Sequence, residues 1–210
     1  MTEDLDNILL RSNELAGAGR HEDNLALLQH ALTRYPSELE VVIRAAGAHL
    51  SEAPDEAARL ARAAVERAPE DPEILTRAAF VMLATDHEDE TRKYFARAAR
   101  LIDDDFVFAF DLVYLGGKLA LKAGDKDKAE ELLTIAFENQ PESPGYGKDL
   151  ADLLFECGEH QRALEVADKA LQHRSGDQNL QDIQALCRVA LFGPDALPPG
   201  YTLSREGDLP

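Results

Sequence analysis

Tryptophan is absent from the 210 residues, and cysteine occurs twice, at Cys157 and Cys187, with no Cys-x-x-Cys pair. A disulfide scaffold and a paired-thiol redox or metal motif therefore find no support, and both cysteines read as small buried apolar residues. Positive charge is scarce: 22 Lys and Arg stand against 40 Asp and Glu, a net charge of −18. A field of that sign repels phosphate backbones and anionic lipid, which argues against nucleic acid and membrane as partners. A basic protein is the partner it would steer. Long apolar runs are missing too. The stretch MTEDLDNILLRSNELAG is acidic where a signal peptide is basic, and its longest apolar run is Ile8-Leu9-Leu10. The reading is a cytoplasmic chain. Hydrophobic residues at 45% and charged residues at 30% fit a soluble folded protein.

Catalytic constellations are also missing. No glycine-rich phosphate loop follows a strand, and no strand pattern occurs. His21, His87 and His160 recur at one turn position and read as surface turn residues. The runs His87-Glu88-Asp89-Glu90 and Asp103-Asp104-Asp105 lack helix-spaced histidine ligands, and helix capping accounts for the second. The sequence predicts no enzyme, no cofactor and no metal.

What is present is a repeat. Residues 110–141, FDLVYLGGKLALKAGDKDKAEELLTIAFENQP, read as two amphipathic helices with a turn at Gly124-Asp125. Gly116 and Gly117 leave room on one flank for a second helix, and Pro141 stops the pair. Such a pair cannot bury its apolar faces alone and must stack on similar neighbours. A small residue in the second helix recurs at Ala31, Ala64, Ala98, Ala136 and Ala170, in steps of 33, 34, 38 and 34. Five residues later come Pro36, Pro69, Asp103, Pro141 and Ser175; the turn falls at Gly19, Glu52, Asp86, Gly124 and Gly158. Ser37, Asp71, Asp105, Ser143 and Ser175 sit where they can cap first helices. Helix pairs are predicted at about 5–36, 38–69, 71–102, 105–140 and 143–174.

This spacing resembles the tetratricopeptide repeat, whose period is about 34 residues. Val113, Gly117, Ala129 and Ala136 match its large and small positions best, and Gly147 departs from them where a large residue is expected. The resemblance implies an all-α, right-handed solenoid of helical hairpins, with repeats at about 5–37, 38–70, 71–104, 105–142 and 143–177. Residues 178–192 form a capping helix with a polar outer side, which closes a unit spanning 1–192. Residues 193–210, with four of the ten prolines, form an extended tail able to fold back on the solenoid.

The family's first helices line a concave surface that binds other proteins. Its groove positions correspond here to Leu9 and Asn13, then to Val42, Ile43, Ala46 and His49. Arg77, Phe80 and Leu83 follow, then Tyr114, Leu115 and Lys118, then Lys148. Of the clamp with which some members grip acidic chaperone tails, only Asn13 and Arg77 match, so that ligand is rejected. The expected groove is mostly apolar, with Phe80, Leu83, Tyr114 and Leu115 forming one strip for an apolar peptide or amphipathic helix. Phe106, Phe108 and Phe110, beside the step of 38, fill a seam between repeats or form a ridge for a partner or for dimerisation. The function expected is a protein-interaction scaffold or adaptor. The alternative is a self-associating assembly protein using the same surfaces.

Overall fold

The computed structural model describes residues 4–102, 109–143 and 145–197. Among them are eleven α-helices, one 3-10 turn and no strand. Contacts divide the chain into two compact units, Met1–Leu112 and Val113–Pro210, with the boundary inside one helix.

The first unit contains α1 (Leu5–Gly17), α2 (His21–Arg34), α3 (Leu39–Ala48), α4 (Pro54–Arg67), α5 (Pro72–Ala84) and α6 (Glu88–Leu101). These are the first three predicted pairs. The recurring Ala31, Ala64 and Ala98 are fully buried, as small residues at helix crossings should be. The turn between paired helices takes left-handed backbone at Gly19, with φ 68°, and at Asp86, with φ 60°. Ser12 and Asn24 stand where small apolar residues are expected. The Ser12 hydroxyl donates to Asn24 Oδ1 at 2.8 Å, so a hydrogen bond replaces the methyl contact.

Of the predicted caps, Asp71 works: its carboxylate accepts from the backbone N–H groups of Glu73 and Ile74 at 2.9 and 3.1 Å. Ser37 does not cap. Glu38 occupies the cap position of α3 without a side-chain bond, and the carbonyls of Pro36 and Ser37 accept from Arg67. Arg97 reaches the Pro69 carbonyl in the same way. Asp105 lies outside the described residues.

The second unit takes up most of α7 (Ala109–Lys122), then α8 (Lys126–Asn139), α9 (Tyr146–Glu156), α10 (His160–His173) and α11 (Gln178–Phe192). Gly117 lets α8 come close, because a Cβ there would lie 2.9 Å from the Leu133 side chain. Gly147 explains its own departure from the pattern. A Cβ there would sit 2.6 Å from the Ala170 methyl and 3.0 Å from the Phe137 ring. Phe137, 3% exposed, fills the volume that a large residue would have taken. Ser143 and Ser175 fail as caps. Gly145, with φ 88°, starts α9, and the Asp177 carboxylate accepts from Leu180 N at 3.3 Å at the start of α11.

α11 is buried more widely than a one-sided cap requires. Leu180, Asp182, Ile183, Ala185, Leu186, Cys187 and Val189 are all buried, with Gln178 donating to Asp182 at 2.9 Å. Burial pushes the Cys187 thiol up to about 11, with help from the Asp168 charge. Cys157, expected to be buried, is exposed at the end of α9. The tail begins not as extended chain but as a 3-10 turn at Pro194–Ala196; its residues 198–210 lie outside the described residues.

Candidate functional site

In the first unit the groove candidates separate into core and surface. Val42, Ile43, Ala46 and His49 are buried, at 4%, 3%, 0% and 8% exposure. This corrects their placement on an open groove. α3 is packed by α2, α4 and α5, so those positions face neighbouring helices rather than solvent. Leu9 is half-buried and packs on the cluster of Ile8, Ala31 and Val41. Phe80 and Leu83 are half-buried on α5.

Beside them the first helices carry a polar network. Arg44 donates through Nε to Glu40, and through Nη1 to Asn13 Oδ1 and the Leu9 carbonyl, the last at 3.3 Å. Arg77 reaches Glu40 at 2.9 Å and Glu73 at 2.8 Å. Burial pushes the Glu40 carboxyl up, but the Arg44 and Arg77 guanidiniums outweigh it and hold the group below its ordinary 4.5. For Glu73 burial wins, and its carboxyl is raised.

Beside this network lies a cleft of about 580 Å³. Ser12, Asn13 and Ala16 of α1 line it, with His21 and Asn24 of α2; Arg44, Gly47 and Ala48 of α3 complete one wall. Leu28, Leu50, Ser51 and Arg77 line it as well.

The second unit repeats the polar theme. Leu115 is fully buried and belongs to the core, not to a groove. Tyr114 packs on Tyr146 with ring centroids 4.4 Å apart, and its hydroxyl donates to Asp149. Lys118 Nζ lies 2.6 Å from the same carboxylate and 5.9 Å from the Tyr114 ring centroid. Lys148 pairs with Asp152 at 2.6 Å and approaches Asp149 at 3.7 Å. Burial, reinforced by the Asp149 charge, raises the Tyr114 phenol far above its ordinary value, so this hydroxyl stays a donor.

The strip expected from Phe80, Leu83, Tyr114 and Leu115 divides between the units, two residues in each. Phe110 is half-buried on α7; Phe106 and Phe108 lie outside the described residues. The reading of the sequence missed Arg44 and Glu40, whereas Asp149 stood among the groove positions of the fifth repeat. The signal was there in part: Glu40 and Arg44, Glu73 and Arg77, and Lys148 and Asp152 are all four apart on helices.

Among the described residues no group of His, Cys, Asp and Glu is placed to hold a metal, and no helix is long and apolar enough to cross a membrane.

Paired helices with small residues at the crossings and polar first-helix faces define a helical-hairpin repeat protein. Solved structures supply the particular kind. A thermophilic TPR protein from Thermus thermophilus superposes with a TM-score of 0.70 at 22% identity, over 87% of this chain and 97% of its own. PilW, a widely conserved type IV pilus biogenesis factor, gives 0.68 at 19% identity, over 93% of this chain and 90% of its own. PilF of Pseudomonas aeruginosa gives 0.64 at 17% identity, covering 91% and 86%. The chain has the tetratricopeptide-repeat fold. No protein-family profile and no curated protein matches it.

Proposed function

We propose that the chain is a non-enzymatic protein-interaction scaffold that receives a segment of another protein on its first-helix faces. The observation that carries this reading is the open cleft beside Asn13, Arg44 and Arg77, in a fold whose solved examples support an interaction role in general. The partner segment is amphipathic. On the first unit its apolar side chains meet the half-buried Phe80 and Leu83 and its polar groups meet Arg77; the second unit offers Lys118 and Lys148 as a polar face of its own. The net charge of −18 favours encounter with a neutral or basic protein. The acidic composition and the lack of a paired-cysteine motif suit the cytoplasm.

The test is affinity capture from native lysate with the full chain and with an Arg77→Ala, Lys118→Ala double variant. The wild type should retain a partner that the variant loses, with melting temperatures within a few degrees of each other. Equal retention of every captured protein would reject these faces as the binding surface.

Self-association is the second reading. It is favoured by Leu10 on α1 and Phe192 on α11, 58% and 68% exposed on the first and last helices of the chain order. A monomer across micromolar concentrations in light scattering would reject it.

A further inference from the structure

We propose that residues 198–210 turn back along α11 and close the end of the second unit, covering Asp182, Ala185 and Val189 where the second helix of a further hairpin would lie. The occupant is a segment of this same chain, and the inference stands independently of the interaction reading above.

The burial pattern of α11 carries it. At about 100° per residue, Gln184 and Cys187 share one side of the helix. That side faces the preceding hairpin. Gln184 donates to Asp168 of α10, and the carboxylates of Asp168 and of Asp152 on α9 both act on the Cys187 thiol. Asp182, Ala185 and Val189 lie about 160° further round. They are buried nonetheless, Asp182 to 2% exposure. Among the described residues α11 is the last α-helix, and it packs on α9, α10 and the 3-10 turn at Pro194–Ala196. The two helices account for the Gln184 side. The opposite side is left to the chain that follows the turn.

The turn sends that chain the right way. Gly193, with φ 89°, ends the helix, and the 3-10 turn after it stays against α11. Leu197 is half-buried. The thirteen residues beyond it reach at most about 43 Å at ~3.3 Å each. The fifteen residues of α11 span only about 22 Å. Pro198 and Pro199 lower the entropy lost when the segment is ordered.

Its chemistry fits the face. Tyr201 and Leu203 supply apolar surface for Ala185 and Val189. Arg205 is the only basic residue of 198–210. A carboxylate buried as deeply as Asp182 requires charged or hydrogen-bonding partners. Gln178, at 2.9 Å, is one of them and not the only one. Asp182 lies about 15 Å back from the end of α11, and Arg205 stands eight residues beyond Leu197, a reach of up to about 26 Å. Arg205 pairs with Asp182. Filled in this way, that side of α11 is closed to a second copy.

The test uses the full chain with Cys157→Ser, so that a nitroxide on Ser204→Cys is the only label, Cys187 being fully buried. The backbone amide signals of Asp182, Ala185 and Val189 should be attenuated, while those of Leu133 and Ala136 on α8 stay intact. Isotope-labelled chain without nitroxide, mixed with spin-labelled chain without isotope, should show no attenuation, because the contact lies within one molecule. Hydrogen exchange of the α11 amides is then followed in Asp182→Asn, Arg205→Gln and the double variant. Each single change should speed exchange about tenfold, and the double variant no more than either alone, as for two members of one pair. Intact signals at Asp182, Ala185 and Val189, attenuation in the mixture, or additive effects of the two substitutions would overturn the proposal.

Discussion

Glu40 shows why the first-helix face of the first unit is ordered before any partner arrives. One carboxylate joins Arg44 of its own helix to Arg77 of another. Its folded value is depressed below 4.5, so the stability it contributes is present above pH 4.5 and is lost as pH falls through the depressed value. Glu40→Gln should therefore cost at most about 1 kcal/mol at pH 7, given the solvent exposure of the pair. The difference from wild type should vanish in acid, and chemical denaturation at pH 7 and pH 3 measures both. A constant difference across that range would show that the charge contributes nothing. Asn13 was named as a groove candidate by the family resemblance, which supplies the groove positions of the repeat. Arg44 was not, because its position in the register lies between groove and core, and its length lets it reach Asn13 on another helix.

α3 marks the limit of what a pattern can say. Its ten residues are the most apolar of the first unit's early helices, and the register put Val42, Ile43, Ala46 and His49 on an open face. Burial of an apolar side chain contributes about 1.5–3 kcal/mol, and packing by three neighbouring helices realises it, so these residues are core. Helix starts, ends and crossings were legible because they depend on local geometry: proline stops, left-handed turns and alanines recurring in steps of 33, 34, 38 and 34 residues. Caps were less so. Ser37 loses its role because α3 starts at Leu39 and puts Glu38, not Ser37, at the cap position.

Two glycines make opposite predictions. Gly47→Ala adds a methyl to open space within a helix and should stabilise by about 0.5–1 kcal/mol. Gly147→Ala drives a methyl to 2.6 Å from Ala170 and should destabilise by about 1–3 kcal/mol. Thermal melts of the two variants that shifted in the same direction would refute the packing described for one of them.

Across the whole chain, the same devices recur in both units. Arg62 pairs with Glu90 at 2.5 Å between α4 and α6, and Arg162 with Glu130 at 2.7 Å between α8 and α10. Within each unit one hairpin is thus tied to the next by side chains on the second helices, as suits a repeat protein in which hairpins contact their neighbours. The charged side chains of the first helices are likewise paired, but around an open cleft in the first unit and around Tyr114 in the second. The repeat architecture was visible in the sequence because period and small residues define it. The polar character of the candidate face was not, because it depends on which apolar positions neighbouring helices cover.

The central claim is that partners dock on the first-helix faces. A nuclear magnetic resonance experiment tests it, with a spin-labelled peptide selected on the full chain and the full chain isotope-labelled. The account predicts attenuation of the Asn13 and Asn24 side-chain amides and of the backbone signals of Gly47 and Ser51. Attenuation confined to the exposed residues of α2, α4 and α6 away from the cleft, with those four signals intact, would contradict it.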